Sequence, residues 1–438
     1  VYAGGAVCLL AFLPADGPLV AWYWRYWQTT GGFNLGAVSD QAALFRLYVF
    51  LPAALYGPPT ILMGFAFPVL QRAVQDDPRT SGRKVGLLQA ANIAGCMAGS
   101  LAIGLAALAW LGTSGTLRLL MLVGALFAAI GLRRFGLRSP FAPLAAVLLV
   151  LAVCLPGQRA LWLRLHGTTA AASLVDEDAT GVAAILPTGG RPEWRVYVGG
   201  KSHSWLPFGG IHSALGATPS VVHPDPQDVA IIGLGSADTA WAAGCRPETR
   251  SVTVFEISGP QPRLLRALSQ REDLPDLRGF LADPRVRVVV ADGRNALVRD
   301  ERLYDVIEAD ALWPEVSYAG NLYSAEFFAQ VARKLKPGGI VCTWAPTPRV
   351  YAAFTRSVRH VVGTGEILIG SNQPLEVDPA TWRARLESPA VAAYLGPRTA
   401  DAWRLLASLR VMNRRGRVQP GRVTNFDLFP RDEFHSPQ

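Results

Sequence analysis

The stretch Asp228-Val-Ala-Ile-Ile-Gly-Leu-Gly-Ser-Ala-Asp238 decides the reading of this chain. A short apolar run ends in two glycines one residue apart, and helix-compatible residues follow. Glycine permits a tight turn and close backbone approach, and the amides of the next helix then face whatever sits beyond the strand. Downstream, Val252–Glu256, Val286–Ala291, Tyr304–Ala309 and Ile340–Trp344 repeat the apolar run. Pro260–Arg271 and Ala325–Leu335 read as helices between them, with Lys336-Pro-Gly-Gly339 as a breaker turn. This alternation predicts a mainly parallel, doubly wound α/β sheet of the Rossmann-like kind.

In such a sheet a ligand lies beyond the carboxyl ends of the strands. The first strand ends in Gly233, Gly235, Ser236 and Asp238. The second ends in Glu256, 21 residues after Gly235, where a carboxylate can accept both hydroxyls of a ribose. The third ends in Asp292-Gly293, a carboxylate placed for an exocyclic amine, and the fourth in Glu308-Ala-Asp310. The full G-x-G-x-x-G phosphate fingerprint is missing. The pattern therefore points to a nucleoside without pyrophosphate, an S-adenosyl sulfonium rather than NAD.

Upstream the composition is different. The chain has 438 residues, 50% of them hydrophobic, and a formal charge of +9; its mean hydropathy is +0.23. These values exclude a disordered or fibrous protein. Residues 1–158 carry 10 Lys+Arg against 4 Asp+Glu, and residues 159–438 carry 32 against 29. The basic excess thus lies mostly in the apolar part, which is not the footprint of a nucleic-acid binder. Apolar runs at 1–13, about 43–70, 86–111, 116–132 and 141–156 read as membrane spans. Pro58-Pro59 would kink the second, and Gly95, Gly99 and Gly104 put small residues on one helix face for close packing. Five dispersed cysteines without metal-ligand spacing read as plain buried thiols, neither disulfide nor zinc.

The pattern turns soluble after Pro156-Gly157. The expected organisation is a transmembrane helical bundle at 1–158, a β-hairpin subdomain at 159–218 built from Gly181–Leu186 and Trp194–Val198, and the α/β domain at 219–438.

Taken together, several segments resemble the membrane-fused spermidine synthase-like proteins, in which a multi-span region precedes a polyamine aminopropyltransferase domain. They are Pro58-Pro-Thr-Ile-Leu-Met-Gly-Phe-Ala-Phe-Pro68, Gly82-Arg-Lys-Val-Gly86, Ala91-Asn-Ile-Ala-Gly95, His223–Gly235, Tyr304-Asp-Val-Ile307, Asn321-Leu-Tyr-Ser324, Leu335–Gly339, and Thr424-Asn-Phe-Asp427 to Phe434. The last resembles the family's closing acidic motif, so the carboxyl end reads as complete. The resemblance implies a methyltransferase-type sheet, decarboxylated S-adenosylmethionine as donor, an amine acceptor such as putrescine, no metal, and homodimers formed through the β subdomain. It further implies that Glu256 holds the ribose, Asp292 the adenine, and Asp310 orients and deprotonates the acceptor amine. Tyr323 would wall the acceptor pocket, and His212 falls near a Tyr-His-Glu stretch that its neighbours do not match.

Two positions depart from the family pattern. Ser236 stands where an Asp normally pairs with the donor's ammonium, and Trp313 where a second acceptor-binding acid is expected. Losing both acids leaves ammonium groups without partners, which is costly in a buried site. Three readings stay open. One is an aminopropyltransferase in a membrane. The second is a methyl- or aminocarboxypropyl-transferase using ordinary S-adenosylmethionine. The third is a non-catalytic nucleoside- or polyamine-binding or transport protein. The chain is expected in a bacterial-type plasma membrane. Charges at 71–85 and 133–140 put both gaps on the cytoplasmic side, which with five spans leaves the soluble domain outside. Adenosyl donors are cytoplasmic, so the soluble domain is assigned to the cytoplasm, with one span miscounted.

Overall fold

Apolar helix formers fill the first part of the chain, and β-branched runs punctuated by Gly and Pro fill the second. A computed structural model describes residues 45, 49–75, 77–136, 140–188, 193–309, 312–314, 316, 318–413 and 423–434. Its contacts divide the chain into two units, Val1–Ala179 and Thr180–Gln438.

The first unit contains α1 (Leu51–Val74), α2 (Ser81–Leu101), a π-helical segment (Ala102–Ala107), α3 (Leu108–Phe135), α4 (Phe141–Cys154), α5 (Gln158–Leu165) and β1 (Leu174–Asp178). Met121 and Ala125 of α3 pack on Leu148, Leu151 and Ala152 of α4 and on Leu155. Gly112, at φ 64° and ψ −176°, breaks α3. A break leaves backbone donors without helical partners. Glu177 of β1 takes up one of them, accepting from the Thr113 amide at 3.1 Å, and also accepts from the Trp162 indole of α5 at 2.5 Å.

The expected membrane region is narrower in the structure. Among the described residues, Ser81–Phe135 is one helical stretch long and apolar enough to cross a bilayer, and the runs 86–111 and 116–132 meet within it at the Gly112 break. Phe141–Cys154 and Gln158–Leu165 make a second candidate only as a pair bent by 82°. The run 1–13 and the start of 43–70 lie outside the described residues. Among the described residues the small-residue face of α2 and the π-helical segment has no close neighbour: a Cβ built on Gly95, Gly99 or Gly104 meets nothing within 4 Å. Cys245 and Cys342 are buried as expected, but Cys96 and Cys154 are exposed on the apolar helices.

The second unit opens with an antiparallel meander, β2 (Gly181–Pro187), β3 (Trp194–Val198) and β4 (Lys201–Leu206). Next come α6 (Ile211–Val222), β5 (Asp228–Ile232), α7 (Asp238–Ala243), β6 (Ser251–Glu256), α8 (Pro260–Ser269), α9 (Pro275–Ala282), β7 (Val286–Val290), α10 (Gly293–Arg299) and β8 (Tyr304–Ala309). A 3-10 turn (Ala319–Leu322), α11 (Ala325–Arg333), β9 (Leu335–Trp344), α12 (Pro348–Ser357), β10 (His360–Gly363) and β11 (Ile367–Ser371) follow. The remaining elements are α13 (Pro379–Leu386), α14 (Pro389–Leu395), α15 (Thr399–Ser408), β12 (Arg410–Asn413) and α16 (Arg431–Phe434).

Eight strands form one sheet in the order β12-β10-β11-β9-β8-β5-β6-β7. The half from β7 to β9 is parallel, and β5 and β8, buried on both faces, lie at its centre. The other half is antiparallel, which corrects the mainly parallel expectation. The cause is connection length. Three residues join β10 to β11, whereas a parallel crossover needs about a dozen. Lys336-Pro-Gly-Gly339 does not break the chain but lies inside β9, at a register shift. Gly338 has φ +80°, and a Cβ on Gly339 would come within 2.9 Å of the Tyr304 carbonyl. The glycines thus absorb a bulge without ending the strand. Gly216 lets α6 touch the start of α7, since a Cβ there would lie 2.0 Å from the Thr239 carbonyl. That contact fixes the helix that follows the glycine turn.

Candidate active site

Register brings the strand ends together. Ile232 of β5 lies opposite Phe255 of β6 and Ala309 of β8, and Ala309 lies opposite Thr343 of β9. The glycine turn, Glu256, the segment after Ala309 and Trp344 therefore share one edge of the sheet.

The turn is tightly wound. Gly233 and Gly235 have φ of 100° and 51°, and Ala237, with φ 79°, holds a left-handed conformation that costs a residue with a Cβ. Buried Glu256 holds the turn from the side. One carboxylate oxygen accepts from the Leu234 amide at 2.8 Å and the other from the Ser258 amide at 2.7 Å. Burial raises its pKa against these hydrogen bonds. The Ile257 and Gly235 amides also interact with this carboxylate, so backbone donors of the turn and of the segment after β6 converge on it.

Polar atoms without partners surround the turn. The Ser204 hydroxyl lies 3.1 Å from where a Gly235 Cβ would stand. Gln261 donates to the Gly235 carbonyl at 2.6 Å. The hydroxyls of Ser204 and Ser258 and the Gln261 side-chain carbonyl are buried with no hydrogen-bond partner among the described residues. Buried polar groups are normally satisfied, so the cluster fits a polar, hydroxyl-bearing ligand. Ile257, directly after Glu256, is 57% exposed and offers apolar surface beside it.

The other predicted residues are distributed as follows. Asp292 is exposed and caps α10, accepting from the Asn295 amide at 2.8 Å. Gly293 lets the chain press on β5, because a Cβ would lie 2.7 Å from Ile232 Cγ2. Ser236 is buried. Asp238, also buried, is engaged with α6, accepting from the Gly209 amide at 2.7 Å and the Ser213 hydroxyl at 2.5 Å. His212 makes an edge contact with Trp205, centroids 5.2 Å apart. Tyr323 is fully buried, and its hydroxyl donates to the Leu312 carbonyl at 2.6 Å, so it holds the chain at Leu312 rather than facing a ligand with that hydroxyl. Asp310 lies outside the described residues. Trp313 is 42% exposed and packs perpendicular to Trp344. Ser204, Ser258, Gln261, Lys201 and Trp344 were not legible as site residues; isolated polar or aromatic residues carry no spacing signal.

Burial pushes the Asp238 carboxyl up to about 6, against the opposing hydrogen bonds from Ser213 and Gly209. The folded chain then holds a proton that the unfolded chain releases between the ordinary carboxyl range and that value. Stability contributed by this group is full below the unfolded pKa and falls as pH rises to about 6, by roughly 2–3 kcal/mol. In urea titrations, the gap between wild type and Asp238→Asn is expected to shift toward the variant by that amount from pH 4 to 7. An unchanged gap would refute the assignment.

Residues 209–363 match the spermine/spermidine synthase domain. A polyamine aminopropyltransferase of Bacillus subtilis (strain 168) is 31% identical over 154 residues, 34% of this chain and 54% of that protein. One from Moorella thermoacetica (strain ATCC 39073 / JCM 9320) is 29% identical over 202 residues, 41% of this chain and 67% of that protein. The chain spans about half the length of the first of these relatives. A crystal structure of spermidine synthase in complex with the transition state analogue AdoDATO aligns with 51% of this chain and 87% of its own, at 19% identity and a TM-score of 0.40.

Proposed function

We propose that the spermidine synthase-like domain at residues 209–363 transfers an aminopropyl group from decarboxylated S-adenosylmethionine to an amine acceptor. The observation that carries this reading is the buried Glu256 carboxylate, locked to the glycine turn at the sheet edge beside buried hydroxyl and carbonyl groups that have no partner among the described residues. Ribose hydroxyls donate to such a carboxylate, Ile257 meets the base, and Asp292 keeps one oxygen for its exocyclic amine. In the transfer, the acceptor nitrogen bonds the aminopropyl carbon as the carbon–sulfur bond breaks. Neutral methylthioadenosine leaves and the amine proton passes to a carboxylate. We assign that base to Asp310, the residue that follows Ala309, the last of β8, in sequence. Positioning and deprotonation supply most of what the reaction needs.

Ser236 favours a second reading. The turn itself brings no acid to the donor's tail, and Asp238 is committed to Gly209 and Ser213. Ordinary S-adenosylmethionine, with a carboxylate there, meets less repulsion than an Asp at this position would give. Calorimetry of the full chain decides between the donors. Tighter binding of the decarboxylated form, with amine-dependent release of methylthioadenosine, is the expected result. Preference for the carboxylate-bearing form overturns the first reading, and binding of neither leaves a non-catalytic protein.

We further propose that the first unit sits in a bilayer with the enzyme domain on the cytoplasmic side. Support comes from the long apolar helix Ser81–Phe135 and from its outward Leu105 and Trp110, with Val153 exposed on α4. Protease protection in sealed vesicles tests the sidedness.

A further inference from the structure

We propose that Arg398 and Asp401, which lie beyond the matched residues 209–363, are positioning residues for the nucleoside site. With Asp238 they pin the loop at 207–210 onto the helix that follows the glycine turn. The readout through nucleoside binding rests on the transfer reading above, whereas the pinning itself does not.

The loop links β4 to α6, and its backbone polar groups take their partners from other elements. One peptide unit is held at both ends: the Phe208 carbonyl accepts from Arg398 Nε at 3.0 Å, and the Gly209 amide donates to Asp238 at 2.7 Å. The next amide, that of Gly210, donates to Asp401 of α15 at 3.2 Å. Arg398 has two further contacts. Its guanidinium pairs with Asp276 of α9 and lies 5.0 Å from the ring centroid of Trp241. The donors of a guanidinium point in fixed directions, so the pair with Asp276 aims Nε at the loop. Trp241 stands on α7, one turn from Asp238, and packs on Phe208 at 5.3 Å and on Tyr394 of α14 at 5.0 Å. The loop, α7, α14 and the start of α15 thus meet around one buried indole. At the loop's other end β4 brings the Ser204 hydroxyl to within 3.1 Å of the Cβ position of Gly235. The loop therefore sets how β4 and α7 close on the glycine turn. Arg385 of α13 supplies a contrast within the same layer. It donates to the Val221 and Val222 carbonyls at 3.0 and 2.9 Å, at the far end of the twelve-residue α6, about 18 Å along the helix axis.

The test compares variants of the full chain by calorimetric titration with methylthioadenosine, by urea midpoint, and by amide exchange at residues 209–210 and 233–237. Asp401→Ala is expected to weaken binding by about fivefold and Arg398→Met by about tenfold, because a small displacement of the turn spoils the geometry of every group it presents. Both are expected to speed exchange at the two segments. Asp401→Asn keeps an acceptor for Gly210 and gives up only the exposed pair with Arg404, so it is expected to bind like the wild type. Arg385→Met is expected to lower the urea midpoint while affinity and exchange at 233–237 stay as they were. An affinity loss in Arg385→Met equal to that in Arg398→Met overturns the proposal, as does a loss of stability without loss of affinity in Asp401→Ala. If the wild type binds no methylthioadenosine, the transfer reading fails and exchange decides. Faster exchange at 233–237 in Asp401→Ala, restored in Asp401→Asn, then upholds the pinning, and exchange unmoved there overturns it.

Discussion

Glu256→Gln is expected to weaken methylthioadenosine binding by about a hundredfold, because it replaces one of two buried, charged acceptor oxygens with an amino group that can only donate. Both carboxylate oxygens are committed to amides, Leu234 in the glycine turn and Ser258 after β6. The glutamine carbonyl can serve one of these. Its amino group then faces the other N–H, donor against donor, where a buried unmade hydrogen bond costs about 1–3 kcal/mol. A ribose hydroxyl loses its acceptor as well, and a hydrogen bond to a charged group is worth about 1.5–3 kcal/mol. The two losses together reach a hundredfold even if they overlap. Asp292→Asn provides the contrast. That side chain is exposed and its resolved bond is a helix cap, which asparagine also makes, so only a few-fold change is expected. Calorimetric titration with methylthioadenosine measures both variants. Equal losses at the two positions would mean that Glu256 serves the turn alone and does not face the nucleoside.

The difference between these two acids shows where sequence reading reaches and where it stops. Position along the sheet was legible: β5, β6, β7 and β8 announce themselves as apolar runs, and the residues ending them fall on one edge because parallel strands align their carboxyl ends. The antiparallel half was not, since β10, β11 and β12 are four or five residues long and their pairing depends on a three-residue connection. Side-chain direction was also hidden. Asp238 sits next to the glycine turn in sequence, yet the close contact of α6 with α7 gives its carboxylate to Gly209 and Ser213. Conversely, Lys201 and Ser204 reach the site from a separate sheet, a placement that only tertiary structure supplies. The membrane region is legible only in outline for a related reason: hydropathy finds apolar runs, but whether the runs 86–111 and 116–132 make two helices or one turns on the local break at Gly112.

Asp432→Ala is expected to cost about 3–5 kcal/mol of stability, because the substitution strips a buried carboxylate from three partners at once, one of them a cation. Asp432 accepts from the Thr347 hydroxyl and the Asn425 amide, each at 2.7 Å, and from Arg349 at 2.8 Å. Alanine leaves a largely buried guanidinium and two polar groups unsatisfied. The damage extends to the site through the same closing segment. Glu433 accepts from the Gly320 amide at 2.7 Å, and Pro430 packs so tightly on Gly320 that a Cβ there would lie 2.3 Å away. Asp427 pairs with Arg294 of α10 at 2.7 Å and accepts from the Ser324 hydroxyl at 2.5 Å. One short stretch therefore ties the helix capped by Asp292 to the turn between Trp313 and Tyr323. Loosening it frees the acceptor side before the nucleoside turn, which Glu256 holds independently. Asp432→Ala should accordingly lower the urea midpoint, speed amide exchange at residues 319–322, and raise KM for the amine more than it weakens methylthioadenosine binding. Glu433→Gln, which keeps one acceptor for Gly320, is expected to lose only about 1 kcal/mol. If the two variants lose equal stability, the buried ion pair is not what holds the segment, and if nucleoside binding suffers first, the clamp acts on the other side of the site.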